Sequence, residues 1–151
     1  MEIIPGEGLP DVRVGASRAD VVAEVGEPVK DGSVAWYHEA QPPFSVHYDA
    51  DDVVEYVEVA NGAGRGEEAE LDGIRLTSRL LDDVLDDLRG AGYTGREVDI
   101  GFEYDAGFCV FSMSSLTLAE VDPTEPEDPE DERLVAEGVG IAPVSYWRSD
   151  G

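Results

Sequence analysis

The chain of 151 residues has one cysteine, one lysine and only 10 basic side chains against 35 acidic ones, for a formal net charge of −25. Each shortage excludes something. With Cys109 alone, no intramolecular disulfide can form and no cysteine-based zinc centre can be built. The lack of a basic footprint excludes direct binding to a nucleic-acid backbone, and it excludes docking on an anionic membrane for the same reason. No apolar run approaches the roughly 18 residues of a membrane span. The start, Met1-Glu2-Ile3-Ile4-Pro5-Gly6, has neither the basic nor the apolar region of a signal peptide, so a cytoplasmic protein is expected.

What remains is enough for a fold. Hydrophobic residues make up 42% of the chain, which supports a packed core despite the charge. Lys30 is the one lysine and the other nine cations are arginines. Two causes fit this bias: adaptation to high internal salt, where a carboxylate surface stays hydrated, or an arginine-favouring genome combined with a need for an acidic face.

The clearest boundary is residues 120–132, with eight acids and three prolines, which reads as an extended, self-repelling linker. Without it the chain still has 27 acids against 10 basic side chains, −17, so the acidity belongs to the folded body. The expected layout is a body over 1–121, an acidic proline-rich linker over 122–132, and a C-terminal segment over 133–151 whose short strand at Val144–Trp147 packs back on the body. A glycine-rich stretch, Asn61-Gly62-Ala63-Gly64-Arg65-Gly66, reads as a second flexible linker inside the body.

That stretch separates two similar segments, about 9–60 and 71–121. Asp11-Val12-Arg13-Val14-Gly15 matches Gly73-Ile74-Arg75-Leu76-Thr77 in apolar, Arg, apolar order. Ser17 is a candidate N-cap, with Val21, Val22 and Val25 as an apolar stripe and Gly26 and Pro28 as the stop. Ser78 is the corresponding cap before Leu80, Leu81, Val84, Leu85 and Leu88. After each helix the period switches to two. Strands are expected at 33–38, 44–48 and 53–59, then at 97–104, 108–113 and 116–121. The fold class is therefore α+β: two repeats of a short helix plus an antiparallel three-stranded meander.

Val14-Gly15-Ala16-Ser17-Arg18, a helix ending in Val25-Gly26-Glu27-Pro28, and a Trp/Tyr-bearing strand in a meander resemble the SmpA/OmlA (BamE-like) module. Tandem copies are similar to the β-lactamase inhibitor protein architecture. The resemblance covers 9–60 best and 71–121 more weakly. It implies a protein-binding scaffold whose sheet surface and loops take the partner, with no catalytic residues to carry over. The general character is also similar to that of bacterial immunity proteins.

Candidate chemistry is sparse. His38 and His47 flank one expected hairpin and could share a metal with Glu39 or Asp49, although the spacing is no known ligand signature. Asp49, Asp51, Asp52 and Glu55 lack the central glycine and distant glutamate of an EF-hand and read as a hairpin tip. Asp82/Asp83 and Asp86/Asp87 are adjacent on a helix and read as its solvated face. Ser112, Ser114 and Ser115 have no nucleophile elbow, and Cys109 reads as a small buried hydrophobe. Aromatic anchors rimmed by carboxylates are the positive signal. The partner-binding set is Trp36, Tyr56, Asp49, Asp51, Asp52 and Glu55.

The function expected is a non-enzymatic acidic module of immunity or inhibitor type that masks a basic protein partner, a toxin or a nucleic-acid-binding protein, with no cofactor. The alternatives are a salt-adapted (halophilic) domain and a small metal-dependent enzyme using His38 and His47.

Overall fold

Ser17 begins the first helix as its sequence position implies. In the computed structural model, in which residues 1–148 are described, Ser17 Oγ accepts from the N–H of Asp20 at 3.1 Å and opens α1 (Arg18–Val25). Gly26, at φ 89°, closes it. A two-residue hairpin, β1 (Gly8–Leu9) with β2 (Val12–Arg13), precedes this helix. An antiparallel run of β3 (Val34–Tyr37), β4 (Phe44–Tyr48) and β5 (Val54–Ala60) follows it.

The second half has the hairpin β6 (Glu70–Leu71) with β7 (Ile74–Arg75), then α2 (Leu81–Gly90). Ser78 does not cap α2. Its backbone is in the left-handed region at φ 60° and its hydroxyl donates to Glu68 instead. Asp82 and Asp83 in the first turn and Arg89 in the last still complement the helix dipole.

The expected strand 97–104 is two strands, β8 (Gly95–Val98) and β9 (Gly101–Tyr104), joined by the two-residue turn Asp99-Ile100. β10 (Phe108–Phe111) follows. The expected strand 116–121 is a short helix, α3 (Leu118–Val121), because extended Thr117 precedes it and Leu118 and Val121 share a buried cluster with Val135. The strand expected at 144–147 lies earlier, at β11 (Gly138–Ile141), while Val144–Tyr146 is a turn of 3-10 helix that follows Pro143.

These strands form one seven-stranded antiparallel sheet in the order β3-β4-β5-β11-β10-β9-β8, so the architecture is α+β. The C-terminal segment is no appendage: β11 pairs with β5 on one side and β10 on the other and joins the two halves. One face of the sheet, with Val46, Val57, Val59, Val139, Ile141, Phe108 and Val110, packs in a single core with Val21 of α1 and Leu81, Val84 and Leu88 of α2. No helix among the described residues is long and apolar enough to cross a membrane.

The glycine-rich stretch is not a flexible tether. The N–H groups of Gly62 and Gly64 donate to the carboxylate of Glu68 at 2.9 and 3.0 Å, and Thr77 and Ser78 hydroxyls complete its partners at 2.7 Å each. A charge this buried is stable only when its lone pairs are filled, so the loop is held around it. Glu137 is built alike, accepting from Ser115 N–H at 2.8 Å, Ser115 Oγ at 2.6 Å and Leu116 N–H at 3.2 Å.

Candidate functional site: the outer face of the sheet

The face turned away from the helices is read directly from the strand register. One row crosses all seven strands: Trp36, Ser45, Glu58, Gly140, Cys109, Glu103 and Arg96. The neighbouring row is Ala60, Gly138, Phe111, Gly101 and Val98. Side chains on paired residues project to the same side, so this surface mixes aromatic, acidic and missing side chains.

The two glycines of β11 shape it. A Cβ on Gly138 would lie 2.3 Å from the Phe111 ring, and one on Gly140 would lie 2.2 Å from the Tyr56 hydroxyl. Both aromatic rings therefore reach over β11 into space that any other residue would fill. Beyond them a groove of about 960 Å³ opens over β8, β9 and β10. Val98, Cys109, Phe111, Trp147, Ile100 and Met113 supply its apolar lining. Ile100 is 46% exposed and Met113 61%, and the two line the same groove. Glu58, Asp99 and Glu103 surround the groove, and its one cation, Arg96, is paired with Glu103 at 2.9 Å. The C-terminal turn that carries Trp147 is tied down by Arg148, which donates to Asp105 at 2.6 Å.

The residues singled out from sequence divide. Tyr56 is on this face but buried, with its hydroxyl donating to Glu58 at 2.9 Å and its ring covered by Tyr146. Its hydroxyl and its ring are thus both engaged within the chain. Trp36 is on the same face but on β3, the opposite edge, half-buried against His38 with ring centroids 5.3 Å apart. Glu55 occupies the extra position where the β4–β5 register shifts. Asp49, Asp51 and Asp52 form the β4–β5 turn. Asp49 accepts from the N–H groups of Asp51 and Val53, and Asp52 takes a two-pronged contact from Arg18 at 2.9 and 3.0 Å. That contact holds the Asp52 carboxyl below its usual range. Of the three, Asp51 remains exposed and unpaired by any ion pair among the described residues.

His38 and His47 do not meet. His47 lies opposite Val34, whereas His38 follows Tyr37, which lies opposite Phe44, so the two are about four residues, roughly 13 Å, apart along the hairpin. His47 is within 3.3 Å of Ser45 Oγ and edge-on to Tyr56, and burial lowers its pKa. No cluster of three metal-ligating side chains occurs among the described residues. Burial pushes the Cys109 thiol up to about 12, the behaviour of an inert buried cysteine.

Ile100, Met113, Phe111 and Trp147 were not visible as a group in the sequence. The available signal is an apolar residue at a hairpin tip, Asp99-Ile100, where no glycine or proline marks the turn between β8 and β9.

No family model matches the chain, and no curated protein matches it. Among solved structures, the chain is similar to a DUF4309 family protein, YjgB, from Bacillus subtilis, at 14% identity and a TM-score of 0.48, over 91% of this chain and 88% of that one.

Proposed function

We propose that the chain is a non-enzymatic binding module of immunity or inhibitor type that takes a basic protein partner on the outer face of its sheet. The observation that carries this reading is the groove beside β8, where Ile100 and Met113 stand exposed among Glu58, Asp99 and Glu103. Apolar anchors supply affinity, and surrounding carboxylates steer a cationic partner and reject an acidic one. The body's net charge extends that steering over many ångströms at low salt.

The tandem-repeat reading, with its resemblance to the SmpA/OmlA module, belongs to the same proposal. It is supported by the equal order of elements in each half: a hairpin, a helix and three antiparallel strands. In this reading β11 welds two copies into one continuous binding surface.

The test is capture from native lysate with the wild-type protein and with the Ile100→Asp/Met113→Asp double variant, side by side. A strongly basic protein retained by the wild type and lost by the variant supports the proposal. Equal retention by both, or a captured set with no basic protein, overturns it.

A further inference from the structure

The sheet has two edges, and they are finished differently. At β3 the outward groups of Trp36 are taken: Val29 N–H donates to the Trp36 carbonyl and Trp36 N–H to the Lys30 carbonyl, both at 2.8 Å. At β8 nothing equivalent occurs. Ser112 N–H donates to the Ile100 carbonyl, so the even-numbered residues of β9 bond toward β10 and the odd-numbered ones toward β8. Asp105 N–H to the Thr94 carbonyl fixes the same phase on β8. Arg96 and Val98 therefore bond inward to β9, and the N–H and C=O of Gly95 and Glu97 point outward. No hydrogen bond among the described residues reaches them.

Such an edge is a template for another strand. Its two faces also differ. Val98 and Arg96, the latter held by Glu103, are the β8 side chains on the groove side, while the Glu97 side chain is on the helix side near Asp82. A strand added to β8 would thus set alternate side chains beside Val98 and the cation Arg96, which favours apolar residues there, and beside the carboxylate of Glu97, which favours basic ones. A second copy of this chain is a poor occupant, because each copy carries −25.

We infer that β8 is a strand-addition site that accepts an extended segment of the partner in which basic and apolar residues alternate. This rests on the protein-binding reading above and names the form of its ligand. Main-chain pairing would supply affinity, and the alternation would supply specificity.

The probe is a capped peptide of about nine residues alternating arginine with valine, long enough to span a strand. The controls are a peptide of the same composition with its arginines in one block, and the alternating peptide N-methylated at every second residue. The expected result is that the alternating peptide binds about tenfold or more tighter than both controls. Amide exchange at Gly95 and Glu97 should slow about tenfold on binding. Glu97→Pro, which removes one outward N–H, should weaken the peptide by a similar factor. The N-methylated peptide keeps the test valid if that variant unfolds. If all three peptides bind equally and Ile100→Asp/Met113→Asp weakens them all, the groove stands and strand addition is overturned. If none binds, or if Gly95 and Glu97 are already protected in a dimer of this chain, strand addition is overturned while the groove is judged by the capture experiment.

Discussion

The ring of Tyr146 lies on the ring of Tyr56, with centroids 5.1 Å apart and planes 21° from parallel. Tyr56 in turn fills the space above Gly140. Three layers, a turn, an aromatic ring and a bare strand, thus close the middle of the outer face and leave the groove at its β8 side.

Tyr146→Ala should uncover Tyr56 and cost about 1 kcal/mol from the lost stacking, with more from lost burial. Urea denaturation measures it. The same variant should raise the reaction rate of Cys109 with a disulfide reagent at pH 8. In the wild type that rate should be on the order of a hundredfold or more below that of a free thiol, because burial holds the thiol near 12.

Gly140→Ala should destabilise by about 1–3 kcal/mol, the usual range for overpacking. The added Cβ meets Tyr56, which is held between Gly140 and Tyr146 and cannot swing away. Gly138→Ala should cost less, because its obstacle, Phe111, borders the open groove. The order of the two urea midpoints checks the argument, and equal midpoints would contradict it.

Burial raises the Glu137 pKa, but hydrogen bonds from Ser115 and from the backbone at Met113 and Leu116 outweigh it and hold the carboxyl below its ordinary 4.5. A group depressed in the folded state contributes stability above its unfolded pKa and loses it as pH falls through the folded value. Glu137→Gln should therefore cost about 1–3 kcal/mol at pH 7, and the difference from wild type should shrink below about pH 4.5. Denaturation of both proteins from pH 7 to pH 3 cancels the common effect of neutralising the other acids.

His38 and His47 lie at opposite ends of the β3–β4 pair. Titration with zinc, followed by calorimetry, should show no stoichiometric site shared between them, and His47→Ala should leave the isotherm unchanged. A one-to-one site lost in that variant would restore the metal-enzyme alternative.

Much of the first half was legible because its signals are local. Ser17 caps, Gly26 and Pro28 stop, and alternating residues from 34 to 59 report strands with one buried face. The second half was harder to read. Asp99-Ile100 turns without a glycine between its strands, so two strands looked like one. Gly138-Val139-Gly140-Ile141 has too many glycines to suggest a central strand, yet those glycines admit Phe111 and Tyr56. Glu68 and Glu137 looked like two more acids among 35. Only tertiary structure shows that each collects the polar groups of a neighbouring loop. The groove was illegible for the same reason, since Ile100, Met113 and Trp147 come from three separate connections.

The position of β11 also sets an order of events. β5 and β10, which it joins, lie on opposite sides of it, and neither has its full set of main-chain partners until residues 138–141 arrive. Any sheet that either half forms before residues 138–141 arrive therefore has a bare inner edge. A stalled or clipped chain lacking β11 would expose both edges at once. Such a chain would be prone to borrow the missing strand from a neighbouring molecule. The strand that unites the molecule is thus also the point at which its folding is most exposed to error.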